Sequence, residues 1–354
     1  MRRDLAPGAL GLALLLAPAM AGAAEFGAAL EAYDGGDYGR ALGEFATLAE
    51  QGDARAQFYT GLMYSHGQGV ERDLERAARW FEAAAGQGSA LAQYNLGVLH
   101  VQGTGVRRDY TRARRLFFEA ADQGVAAAHY NLAVLLDEGL GISRDPAAAL
   151  HHYRQAADAG HATAQYTLGQ LFYEGLGVPA NDQAALKWFR QAAEQGHAAA
   201  QYNYAAMLHG GFGVAADPVE AARWYRSAAE QGDVLAQYNL GRLYRTGDGV
   251  PQDDEQAVHW YRLAARRGDP FALNNLGHMY AAGAGVVPRP VWAHALFRLA
   301  TDLGNPNAQR ALALSAQHLP ESDVRMARKL AQAWRQQLDA NQRSGIQRPA
   351  QPDF

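Results

Sequence analysis

Eight glycines, Gly52, Gly88, Gly124, Gly160, Gly196, Gly232, Gly268 and Gly304, stand 36 residues apart without one slip. A second series keeps the same spacing through Gly69, Gly105, Gly141, Gly177, Gly213, Gly249 and Gly285, and Ala56 to Ala308 and Ala77 to Ala293 form two more. A register this strict marks a chain built from copies of one supersecondary unit, each of which buries its apolar face against its neighbours. Seven full units run from Ala54 to Asn305, with a half unit before them and an eighth first helix after them.

Within a unit the apolar positions recur every three or four residues, so each unit reads as two helices. Ala92, Tyr94, Leu96 and Leu99 make the buried face of one first helix, and Gly97 lets a neighbour approach closely. Gly103 and Gly105 supply the positive φ that ends it. Asp109 then caps the second helix, with Asp73, Asp145, Asn181, Asp217 and Asp253 at the same position; Arg289 breaks that series. Second helices carry Ala77, Trp80, Phe81 and Ala84 or their equivalents, and the Trp80, Trp188, Trp224 and Trp260 series is expected in the core.

Helices this short are marginal alone, so the pairs must stack. The expected fold is all-α, a solenoid of about seven 36-residue helix-turn-helix repeats over 54–305, with capping helices at both ends. Residues 25–53 read as the front cap. Residues 306–341 read as the back cap, with Val324, Met326, Ala327, Leu330 and Trp334 on its apolar face, and 342–354 as a disordered tail.

Residues 1–24 read as an export signal: Arg2 and Arg3, an apolar stretch around Leu10 to Ala17, then small residues for cleavage. The expected location is periplasmic, with secretion as the alternative, and no membrane span is expected in the mature chain. With no cysteine, disulfides, thiolate nucleophiles and Cys-ligated metals are excluded. A net charge of −4 argues against nucleic acid as a partner. The 12 histidines fall at no repeating metal spacing and no HExxH motif occurs, so neither cofactor nor metal is expected. No GxSxG motif, no serine three residues before a lysine and no phosphate-binding glycine loop is present.

The strings Ala92-Gln93-Tyr94-Asn95-Leu96-Gly97, Gly103-Thr104-Gly105-Val106 and Ala192-Ala193-Glu194-Gln195-Gly196 resemble the SEL-one-like repeat (SLR) family, relatives of tetratricopeptide repeats with a longer turn between helices. The resemblance covers roughly residues 37 to 319. It implies a right-handed superhelical α-solenoid acting as a scaffold or adaptor, in bacteria often exported and tied to envelope regulation, exopolysaccharide assembly or host interaction. Ala133 and Ala205 depart from the pattern by replacing its small glycine.

Subtracting the repeated positions leaves a variable stripe on the first helices, expected to line a concave groove that takes a protein or peptide partner in the envelope. Its candidate residues are Arg55, Tyr59, Leu62 and His66, then Asn95, Asn131, Asp137, Glu138 and Glu174, then Asn203, Asn239, Arg242, Arg245, Phe271, Asn275 and His278. The middle is acidic and the later part basic. The asparagines have two readings, pairing with a bound peptide backbone or satisfying polar groups between helices. Arg107, Arg108, Arg112, Arg114 and Arg115 read as a solvated face, or as a contact for an acidic partner or anionic lipid. A non-catalytic scaffold is the leading reading. The alternatives are a glycan- or peptidoglycan-associated protein and a hydrolase, which would need two carboxylates and a histidine in one pocket.

Overall fold

The computed structural model describes residues 22–344, and all of its regular structure is helical. The chain divides into two compact units, one ending at Ala180 and one beginning at Asn181. The first holds α1 (Gly22–Asp34), α2 (Tyr38–Glu50), α3 (Ala54–His66), α4 (Leu74–Gly86), α5 (Ala90–Gln102), α6 (Tyr110–Asp122), α7 (Ala126–Glu138), α8 (Pro146–Asp158) and α9 (Ala162–Glu174). The second holds α10 (Asp182–Glu194), α11 (Ala198–Gly210), α12 (Pro218–Glu230), α13 (Val234–Thr246), α14 (Asp254–Arg266), α15 (Pro270–Ala282), α16 (Pro290–Asp302), α17 (Ala308–Gln317) and α18 (Glu321–Ser344). In each unit consecutive helices pack as pairs along a solenoid.

The turns follow from glycine chemistry. Gly103 closes α5 at φ 68°, its N–H returning to the Leu99 carbonyl at 2.8 Å. Two residues on, the second glycine of the turn sits against the preceding repeat in every case but Gly177: a β-carbon on Gly141 would lie 2.6 Å from Tyr110 Cβ, and one on Gly213 2.7 Å from the Asp182 carbonyl carbon. The turn of one repeat therefore rests on the start of the second helix before it. The Asp and Asn caps hold as the sequence suggests, each accepting from the amide three residues on; Arg289 makes no such bond, and its guanidinium lies 4.3 Å from the Trp292 ring centre. First helices are capped as well, by Asp53, Ser89, His161, His197, Asp233 and Asp269, whereas Val125 leaves α7 uncapped.

The front helix pair closes the first unit with an aromatic cluster. Phe45 stacks on Tyr59 at 4.9 Å, and Phe26 and Tyr33 meet the same ring edge-on at 5.7 and 5.6 Å. In the second unit α17 and α18 both pack on α16. Ala327, Ala331, Trp334 and Leu338 are buried, and Trp334 meets Trp292 at 5.7 Å. Met326, expected on that apolar face, is 62% exposed: a helix narrows its buried stripe to positions three or four apart, and Met326 falls between them. Helix α18 runs three residues into the expected tail; residues 345–354 and residues 1–21 of the expected signal lie outside the described residues. Of the tryptophan series only Trp260 is buried, while Trp80, Trp188 and Trp224 are half-buried.

Candidate partner-binding face

In the first unit the variable stripe is largely taken up by the protein itself. Arg55 pairs with Asp53 at 2.7 Å and lies 4.3 Å from the Phe26 ring centre, so α1 covers the start of α3. Tyr59 belongs to the front aromatic cluster, and Leu62 is 5% exposed. Arg55 and Tyr59 are taken up by the cap that finishes the stack, and Leu62 is taken up by burial. His66 is exposed, its Nδ1 2.9 Å from the Leu62 carbonyl.

The asparagines lean to the second of their two readings, polar groups met within the protein. Asn95 and Asn131 are buried, at 5% and 1% exposure. Asn95 gives its Nδ2 to the Leu91 carbonyl at 2.7 Å, and in the second unit Asn239 does the same to Leu235 at 2.9 Å. Asn95 and Asn239 thus bond one turn back within their own helices, while the Asn131 amide faces the Tyr94 hydroxyl of α5 and the Asn275 amide the Tyr261 hydroxyl of α14. The Oδ1 atoms of Asn95 and Asn131 are buried without a hydrogen-bond partner. Asn131 also lines a cleft of about 270 Å³ with Val98, Val101, Gln102, Arg108, Tyr110 and Phe117. Of the acidic residues, Asp137 is half-buried and paired with Arg144 at 3.3 Å, while Glu138 and Glu174 are exposed. The basic cluster of α6 is partly neutralised, since Arg112 forms an ion pair with Glu82.

The second unit offers an open face on α11, α13 and α15. Asn203, Asn239 and Asn275 are half-buried, Arg242 is half-buried, and Arg245 and His278 are exposed. Phe271 is 44% exposed and contacts Tyr238 at 6.0 Å. Leu235, 50% exposed, stands at the same repeat position as Arg55 and Phe271. The sequence reading passed over Leu235, although its place in the 36-residue register put it on the stripe.

No carboxylate among the described residues lies within ion-pair reach of Arg242 or Arg245. Their field is felt locally. Burial pushes the Tyr261 hydroxyl up to about 12 while the Asn275 amide and both guanidiniums pull it back, and the burial of the His278 ring against Phe297 at 4.8 Å, with Arg245 beside it, holds that otherwise exposed residue below the usual imidazole range. Two unpaired guanidiniums one helical turn apart can seat a carboxylate, and the exposed leucine and phenylalanine at the starts of α13 and α15 offer apolar contact further along the same stripe.

Comparison with known proteins follows the same repeat boundaries. The Sel1 repeat model matches residues 54–89, 90–125, 126–161, 162–197, 198–233, 234–269 and 270–305. The crystal structure of a protective antigen present in uropathogenic Escherichia coli strains, which displays an SLR fold, is 33% identical, covers 88% of this chain and 68% of its own, and superposes with a TM-score of 0.76. A Sel1 repeat protein from Oxalobacter formigenes is also 33% identical, covering 83% of this chain and 92% of its own, with a TM-score of 0.61. No curated protein sequence matches the chain.

Proposed function

Since the chain belongs to the Sel1-repeat family, whose members are scaffolds that generally mediate protein–protein interaction, we propose that it is a non-catalytic adaptor of the cell envelope. The partner is a protein segment carrying carboxylates beside apolar side chains. The observation that carries this reading is the pair Arg242 and Arg245, without carboxylate partners among the described residues, on the helix whose first turn carries exposed Leu235, while exposed Phe271 holds the matching position of the next repeat. Export rests on the signal-like sequence of residues 1–24, and the non-catalytic assignment on the absence of the nucleophile and metal motifs from the sequence. No helix among the described residues is long and apolar enough to cross a membrane.

A specific observation favours the glycan reading as the second one. Trp224 lines an open cleft of about 560 Å³ with Asp217, Val219, Glu220, Arg223 and Ser227, and its Nε1 donates to Glu220 at 3.3 Å. An accessible indole flanked by carboxylates suits a sugar ring.

In-cell crosslinking of the tagged protein, followed by mass spectrometry of the envelope fraction, separates the two. A protein captured by the wild type and lost on Arg242→Glu plus Arg245→Glu supports the adaptor. Glycan fragments retained by that variant and lost on Trp224→Ala overturn it in favour of the second reading.

A further inference from the structure

Repeat 3 breaks an internal pattern at three positions together. The fourth residue of a repeat is glutamine in five of the seven, as Gln57, Gln93, Gln165, Gln201 and Gln237. Gln57, Gln165, Gln201 and Gln237 donate Nε2 to the carbonyl eight residues earlier, at 3.0 to 3.2 Å, tying a first helix to the helix before it. Gln57, Gln93 and Gln201 also accept from a glutamine thirty residues later, Gln87, Gln123 and Gln231, at 2.7 to 2.8 Å. In repeat 3 the fourth residue is His129, the later glutamine is Ala159, and the position held by tryptophan or leucine in every other repeat is His152.

The two histidines face each other. Their Nδ1 atoms are 3.1 Å apart, and the ring centres are 5.4 Å apart at 28° between planes. That centre separation equals the nitrogen separation plus about one ring radius at each end, so the rings meet edge to edge and both Nδ1 positions point into one gap. One Nδ1 carries the proton and the other accepts it. The rings are half-buried, which leaves the gap open to solvent, and His151 flanks His152 at 5.4 Å.

We propose that His129 and His152 form a two-histidine site for a divalent transition-metal ion of the zinc, nickel or copper class. Imidazole nitrogens suit these ions. Two bonds of about 2.0–2.1 Å span a 3.1 Å nitrogen separation at an angle of about 100°, once each ring turns by roughly 40° to aim its lone pair off the line between the nitrogens. The donor ring shifts its proton from Nδ1 to Nε2, which frees both Nδ1 lone pairs without net proton release. Metal binding needs neutral imidazole. Burial, with the neighbouring histidines adding to it, holds both rings below their usual range, His152 down to about 4. No three His, Asp or Glu among the described residues are grouped to hold an ion, so water fills the remaining positions. Sequence spacing hid the pair because its members lie on different helices, α7 and α8.

The test is calorimetric titration of tag-free, chelator-washed protein with zinc chloride and with nickel chloride at about pH 7.5, where both rings are neutral. It compares the wild type with His129→Gln and His152→Trp, which install the residues of the other repeats and so keep the fold. Thermal melts check this, and His152→Leu, the residue of repeats 2 and 7, replaces the tryptophan variant if that one fails to fold. One micromolar site whose affinity falls by a factor of roughly 10 or more in each variant supports the site, as does a metal-induced shift of both Nδ1 resonances in nitrogen NMR. Millimolar binding in the wild type, or equal binding in all three proteins, overturns it, the second result assigning the metal to other histidines.

Discussion

The ring of Phe117 lies directly beneath Gly97: a β-carbon added to that glycine would stand 2.7 Å from Cε1. Gly61 over Phe81, Gly241 over Tyr261 and Gly277 over Phe297 repeat the relationship at 2.7 to 2.8 Å, each glycine letting a first helix settle onto the aromatic of its own repeat's second helix. Because Phe117 is fully buried, its ring has no room to retreat. Gly97→Ala is therefore expected to cost about 1–3 kcal/mol by overpacking, read as a lower urea midpoint with an unchanged slope. An unchanged midpoint would show that the helices separate freely there.

Val125 holds the same extended backbone as the capping residues, φ −74° and ψ 101° against −65° and 108° for Ser89, without a side-chain acceptor. Val125→Ser is expected to stabilise the first unit by about 1 kcal/mol, since α7 gains the bond that Ser89 gives α5. A thermal midpoint that fails to rise would mean that the apolar contacts of the half-buried valine outweigh the cap.

Acid should weaken the first unit through its histidine pair. Burial, then His129 and His151, hold His152 at about 4, and burial and His151 lower His129. A base depressed in the folded state leaves stability intact above its unfolded value of about 6.5 and removes it as pH falls toward the folded value. Melting with EDTA present should thus show a steeper loss between pH of about 6.5 and 4 for the wild type than for His152→Trp. Parallel curves would dismiss the pair as the source.

Phe271 and Tyr59 occupy related stripes but different roles. Phe271→Ala should lower affinity for the crosslinked partner and leave the melting midpoint alone, because the ring is 44% exposed. Tyr59→Ala should lower the midpoint by opening the front cluster, where its ring stacks on Phe45 at 4.9 Å, and leave partner affinity unchanged. The reverse pattern, seen by fluorescence anisotropy and calorimetry, would move the face to the front end.

The helix pairs were legible because a 36-residue period repeats each apolar position and each glycine several times, so Gly103, Gly105 and Asp109 announce turn and cap together. The face was legible only in part. Subtracting repeated positions finds the variable ones but ignores what lies on top of them, and α1 lies on Arg55 and Tyr59. Nor does a sequence reveal depth: Asn131, at 1% exposure, and Asn275, half-buried, share one repeat position. His129 and His152 stayed hidden because their meeting depends on how α7 and α8 pair.

The placing of the turn's second glycine against the preceding repeat, at every turn but that of Gly177, reaches beyond stability. Since Gly141 rests on Tyr110 and Gly213 on Asp182, the junction a repeat presents behind it is the one it receives in front. Gene duplication can then lengthen such a protein by whole modules, with no new junction to invent, while a frame-preserving insertion inside a module meets no matching surface. Individual modules stay free to diverge in their exposed chemistry, as the third has done, under an architecture inherited intact.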